Sequence, residues 1–293
     1  MNYPNGLIIL PAKTHAWVTG SGKATAKLGA DAGEINPSGD WTDNDVEKEL
    51  QKKNGLETQG CTGFAIAKIL IALAKKKGYK HIPQNCSERY IGIGAENTPE
   101  GNDPWKVIET IAMKIGLIHE DILPFSENIH TWDEFYSPKK DSQDYKNFTR
   151  IGEQILRKTD IEPEWVLPPF NTYSPKEKAE ILKKTLKRMP IAVSVKAWEE
   201  TNDIYTKKVG ERDNHFVQLL RYDKQGYPIV SDQYIPFRKR LAKDYDFNIA
   251  LGVFMRENPT GVLPKDKPLY LKLLKKLLSL LQEAAKRLGV WNG

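Results

Sequence analysis

One run constrains this chain more than any other: Cys61-Thr62-Gly63, then Phe64 to Ala74, apolar apart from Lys68, then Lys75-Lys76-Lys77-Gly78. Its length reads as a helix and exceeds an ordinary strand. With apolar residues on most of its faces, such a helix is buried in the middle of a domain. The spacing predicts a start near Cys61 with Thr62 as cap. The three lysines complement the C-terminal dipole, and Gly78 stops the helix. A central helix needs elements around it. The 293 residues, 40% hydrophobic and 28% charged, can supply them as one large domain or two modest ones.

A second helix is predicted from Pro104, a favourable first-turn residue, to Gly116. A third starts at Ser174-Pro175, runs to Met189 and leads into a buried strand, Ile191 to Val195. A strand pair follows: His215 to Tyr222, a turn at Asp223-Lys224-Gln225-Gly226, then Tyr227 to Ser231. Helices lie early and strands late, which predicts an α+β fold with two segregated lobes. Residues 1–38, rich in Gly, Ala, Thr and Lys, read as an N-terminal extension, residues 39–258 as the main domain, and 259–293 as a separate tail. In the tail, Pro259, Gly261 and Pro264 precede leucines at helical spacing, among them Leu269, Leu273, Leu277, Leu280 and Leu288, with lysines between them. That is a linker and a basic amphipathic helix.

The net charge is +6, and seven basic against two acidic residues from Gly261 onward supply most of it. The nearly neutral body argues against a nucleic-acid face. Two cysteines cannot make a disulfide framework, and no Cys/His spacing resembles a zinc site. No basic leader precedes the first apolar run, which breaks at Pro11, and no apolar stretch is long enough to span a bilayer. The expectation is a soluble, cytoplasmic protein without metal or cofactor.

A cysteine at the first turn of a helix lies at the positive end of the dipole. Its thiolate is favoured there, and the nearby N–H groups can hold an oxyanion. A thiolate nucleophile needs an imidazole to pair with, and the imidazole needs a polar group to orient it. His215 opens one strand of the predicted hairpin and Asp232 closes the other, so the two can be neighbours. Cys86 lacks such company and reads as a structural thiol.

Several stretches, in order, resemble the papain-like cysteine peptidases, in the form seen among bacterial and phage-type members. Gly39-Asp40-Trp41 looks like the opening of the mature domain, Cys61-Thr62-Gly63-Phe64-Ala65 like the nucleophile motif, and Ser87-Glu88-Arg89-Tyr90 like the family's Leu-Ser-Glu-Gln segment. Gly101-Asn102-Asp103-Pro104-Trp105 and Gly116-Leu117-Ile118 through Pro124-Phe125 are similar to its Gly-Gly, helix and Tyr-Pro-Tyr block. Pro190 to Val195 resembles Gly-Pro-Val-Ser-Val, Asn214-His215-Phe216-Val217 the histidine strand, and Ser231-Asp232-Gln233-Tyr234 stands where the family has Asn-Ser-Trp.

The resemblance implies a two-lobe papain-like fold, with Cys61 as nucleophile, His215 as general acid and base, and Asp232 as orienting group. The third member is Asp where the family usually has Asn; a carboxylate holds His215 at least as firmly and favours its protonated form. The family also carries an oxyanion-hole glutamine a short loop before the cysteine, where this chain has Gly55. Gln51 and Gln59 are the candidates. Gln51 is preferred for its distance from Asp40-Trp41, with a slightly longer loop before Cys61. The implied function is peptide-bond hydrolysis through a thioester, on peptide or protein substrates. The alternatives are an amidase or acyltransferase with the same Cys-His chemistry, and a non-catalytic binding or structural protein. Further expectations are that no long helical propeptide is used and that the N-terminal arm packs on the body or partly occupies the groove. For residues 265–290, self-association or a partner contact ranks first, docking on the body next, and adsorption to an anionic membrane third.

Overall fold

A computed structural model describes residues 7–8, 33–46, 48–208, 210–268 and 277. The predicted amphipathic helix of the tail and most of the N-terminal arm lie outside these residues.

Helix α1 spans Cys61–Lys77 and is buried from Cys61 to Ala74. Gly78 closes it at φ 71°, donating its N–H to Ala74 and Lys75 carbonyls, as the lysine-glycine ending predicts. The start differs from expectation in one respect. Gly60 is the N-cap and no side chain caps the helix, so Thr62 is already inside the first turn. Around α1 lie α2 (Glu88–Gly94) and α3 (Pro104–Thr110), the latter continued by a wide turn, Ile111–Ile115. A short α4 (Trp132–Phe135) precedes the long α5 (Gln143–Lys158), and α6 (Pro175–Leu186) starts in a Ser174/Glu177 capping box.

The strands are β1 (Lys52–Lys53), β2 (Leu56–Glu57), β3 (Thr159–Leu167), β4 (Ile191–Val195), β5 (Glu199–Thr201), β6 (Ile204–Thr206), β7 (His215–Tyr222), β8 (Pro228–Ser231), β9 (Arg238–Arg240) and β10 (Ala250–Glu257). Six form an antiparallel sheet in the order β3-β10-β4-β7-β8-β9, while β1-β2 and β5-β6 are separate hairpins. The predicted β4 strand and the β7-β8 hairpin are present as read. The sequence patterns leave the remaining elements unmarked, the largest being α5, β3 and β10. Strand β3 carries Pro163 and lies at the sheet edge, where proline is tolerated.

The helix-first, strand-later order yields a helical lobe and a sheet lobe, with α1 packed against β7 and β10 as well as against α2 and α3. Lys68, the one charged residue in the α1 core, is only 3% exposed. It crosses to the sheet lobe, donating to Ser231 Oγ at 3.0 Å and the Asp232 carbonyl at 2.8 Å. Trp41 is fully buried, its indole N–H on the Leu186 carbonyl at 2.7 Å and its backbone N–H on the Leu220 carbonyl at 3.0 Å. Of the N-terminal arm, Leu7 is buried and bridges Asn102, with the Ile8 N–H on the Asn102 carbonyl at 3.0 Å. Among the described residues no helix is long and apolar enough to cross a membrane.

Candidate active site

Cys61 is the first residue of α1, and its side chain is fully buried where the two lobes meet. His215 begins β7 and Asp232 follows β8 directly. The β7-β8 register, Gln218 opposite Ser231, brings the strand start and strand end together. His215 Nε2 lies 2.6 Å from Asp232 Oδ1, both side chains buried. A carboxylate only accepts, so Nε2 carries the proton. Nδ1 is left as the nitrogen open to a thiol, buried and without a hydrogen-bond partner in the protein. The backbone amide of Phe216, the residue after His215, hydrogen-bonds the Cys61 thiol, which sets β7 against the start of α1.

Burial pushes the Cys61 thiol well above the ordinary cysteine range. The Phe216 and Thr62 amides pull it down, and the Glu57 and Asp232 carboxylates add to the rise. The expected gain from the helix N-terminus is therefore outweighed by desolvation in the closed cleft. A negative charge on this sulfur is therefore disfavoured unless a positive group lies beside it.

Asp232 is held on every side. Its Oδ1 also accepts the Gln233 N–H at 2.7 Å, and its Oδ2 accepts Lys239 Nζ at 2.6 Å. Burial pushes its carboxyl up, but His215 and Lys239 outweigh this and hold it below the usual carboxylate range. Trp198 and Tyr234 flank the imidazole, with ring centroids 5.8 and 5.3 Å from it, and shield the pair from water.

Gln51 is fully buried, and its N–H reaches the Gln233 carbonyl at 3.2 Å, beside Asp232. Its Nε2 donates to Glu57 Oε1 at 2.7 Å. The extra length between Gln51 and Cys61 is the β1-β2 hairpin, turning at Asn54 (φ 54°) and Gly55 (φ 81°). Glu57, at its end, accepts the Gln59 N–H at 3.0 Å and the Tyr234 hydroxyl at 2.7 Å, tying this loop to the sheet lobe. Gln59 is half-buried at φ 51°. Asn-Gly between residues of a strand pair is the strongest short hairpin signal, and it was legible in the sequence. Lys68 stands out in its apolar run, but no local pattern gives its partners on the sheet lobe, the Tyr234 contact of Glu57 or the Asp232 contact of Lys239. Cys86 is buried, with its thiol 3.6 Å from the Pro83 carbonyl, and burial pushes that thiol up as well. No described group of three or more His, Cys, Asp or Glu could hold a metal ion.

No known protein family matches the sequence, and no curated protein matches it. Solved structures do. Xylellain, a cysteine protease from Xylella fastidiosa, superposes with a TM-score of 0.55 at 15% identity, over 86% of this chain and 96% of that one. Digestive procathepsin L2 proteinase from Tenebrio molitor larval midgut gives 0.51 at 14% identity, over 86% and 78%. The fold is papain-like. Cys61, on the central helix, and His215, on the sheet hairpin, come from different lobes of it.

Proposed function

We propose that this protein is a cysteine-type peptidase in which Cys61, His215, Asp232 and Gln51 carry the chemistry. His215 Nδ1 takes the thiol proton, and the Cys61 sulfur adds to the substrate carbonyl. The Cys61 backbone N–H and Gln51 Nε2 hold the resulting oxyanion. His215 then protonates the leaving amine, and a thioester remains. Water, deprotonated by His215, adds to the thioester and releases the acid. Asp232 keeps the imidazole in the tautomer that leaves Nδ1 free. Peptides or proteins are the substrates, and residues 265–290 provide a self-association or partner segment.

The observation that carries the reading is the buried His215–Asp232 contact of 2.6 Å set against the first turn of α1 in a papain-like fold. A non-catalytic binding protein is the second reading, favoured by the complete burial of Cys61 and its raised thiol. Iodoacetamide labelling at mildly acidic pH, located by mass spectrometry, separates the two. An ordinary thiol, with a pKa of about 8.5, barely reacts there. Labelling of Cys61 that is much faster than that of Cys86, and that slows in His215→Ala, is expected. Equal and slow labelling of both cysteines in both proteins would sink the catalytic reading. A peptide library then separates peptidase from amidase.

A further inference from the structure

Strand β9 reads Arg238-Lys239-Arg240, and by strand alternation its middle residue turns inward. Lys239 is only 2% exposed. Its ammonium has three donors and finds three acceptors: Asp232 Oδ2 at 2.6 Å, the Tyr234 carbonyl at 2.9 Å and the Pro236 carbonyl at 2.6 Å. The segment from Asp232 to Phe237, closed by the Asp232 N–H on the Phe237 carbonyl at 2.7 Å, thus wraps the ammonium. Trp198 and Tyr205 cover it, their ring centroids 5.0 and 5.6 Å from Nζ. A buried, fully coordinated cation is a costly thing to keep unless its partner needs it.

The partner is the carboxylate that touches His215. Alone, a buried carboxylate 2.6 Å from an imidazole would bind the imidazolium tightly. A general acid held that way gives up its proton poorly, and a general base held that way is already protonated. We propose that Lys239 is a positioning residue of this site: it neutralises Asp232 and pins the carboxylate with Oδ1 toward His215, so that an Asp–Lys ion pair serves as a net-neutral acceptor. The inference rests on the peptidase reading for its purpose, but not for its electrostatics.

Lys239 is the lysine hydrogen-bonded to the Asp232 carboxylate; the other charged and titratable groups act on the pair without that contact. Lys68, from α1, meets the Asp232 main-chain oxygen and fixes the backbone. Glu200 on β5 acts on Lys239 from the exposed side, and Tyr205 on β6 lies against it. Cys61 and Tyr234 are the titratable groups on the His215 side, with Glu57 behind Tyr234.

The test is the NMR titration of His215 in the full-length chain carrying Cys61→Ala, which removes the thiol and makes the readout independent of catalysis. Lys239→Met is expected to raise the His215 midpoint by about one pH unit or more, since an uncompensated carboxylate remains beside it. Adding Asp232→Asn to Lys239→Met is expected to bring the midpoint back. A midpoint that Lys239→Met leaves unmoved, or that stays equally high in the double variant, overturns the proposal. With Cys61 present, Lys239→Met is expected to lower kcat about tenfold through deacylation, and the double variant to recover most of it. If the midpoint shifts as expected while the wild type hydrolyses no peptide, the ion pair's role stands and the peptidase reading falls. Should Lys239→Met fail to fold, the comparison moves to Asp232→Asn with and without Lys239→Met. Removing an ammonium that has lost its carboxylate and keeps only the Tyr234 and Pro236 carbonyls is then expected to raise the unfolding temperature, and a lower one overturns the proposal.

Discussion

Glu57 shows how one side chain can serve geometry and oppose chemistry. Its carboxylate aligns Gln51 Nε2 and anchors Tyr234, while its charge is among the causes that raise the Cys61 thiol. Glu57→Gln keeps an acceptor for Gln51 and loses the charge, so the thiol's pKa should fall. The sign follows directly, because a nearby negative charge disfavours a thiolate. Alkylation of Cys61 at a fixed pH below the thiol's pKa is expected to speed up about two- to tenfold, with the whole pH–rate curve displaced toward acid. Glu57→Ala frees Gln51 as well, and there kcat for peptide hydrolysis should fall while alkylation still speeds up. Equal alkylation curves for wild type and Glu57→Gln would remove Glu57 from the electrostatics of the site.

Elements meet most tightly where the wide turn after α3 crosses α5. Gly116 sits at φ 66°, and a Cβ there would lie 2.0 Å from the Gly152 carbonyl oxygen. Gly152 is equally restricted, since its added Cβ would lie 2.0 Å from the Ile115 carbonyl oxygen. Both the dihedral and the contact exclude a side chain, so Gly116→Ala is expected to cost about 2–5 kcal/mol in urea denaturation. Gly55, also at positive φ but with nothing near its Cβ position, meets only the conformational penalty. Gly55→Ala should cost about 1 kcal/mol. Comparable losses at the two positions would contradict this packing account.

Across the whole molecule, stability should vary with pH through carboxyls of opposite behaviour. Burial, with Glu49 adding to it, pushes Glu120 up to about 7, and Glu88 is pushed well above the ordinary range by burial and by Glu49 and Glu120. Raised carboxyls keep a proton in the folded state that the unfolded chain releases. Stability from them is present below the ordinary carboxyl range and is lost as pH rises toward about 7. Asp232 is depressed, so its contribution is present above the ordinary range and is lost as pH falls through it. The unfolding temperature should therefore peak in mild acid, at about pH 5, and decline toward neutrality. Glu120→Gln is expected to flatten the neutral limb, and thermal unfolding across this range checks both statements. A profile rising steadily to pH 8 would contradict them.

Local patterns in the sequence determined α1 from its apolar run and lysine-glycine ending, α6 from its Ser-Pro start, and the β7-β8 hairpin with its turn. Those elements already carry Cys61, His215 and Asp232 in an order that suits two facing lobes. Periodicity and caps act within a few residues, so they are written in the chain itself. Only the tertiary structure decided what surrounds those three residues. Lys68 on the central helix and Glu57 at the end of a hairpin act on partners 164 and 177 residues away, and Lys239 on the edge strand meets Asp232 only because the chain turns back between them. The thiol's rise belongs to the same level: a helix start favours a thiolate, but closure of two lobes over it removes water from every side. Burial and long-range pairing are properties of the packed whole, and no short stretch of sequence encodes them.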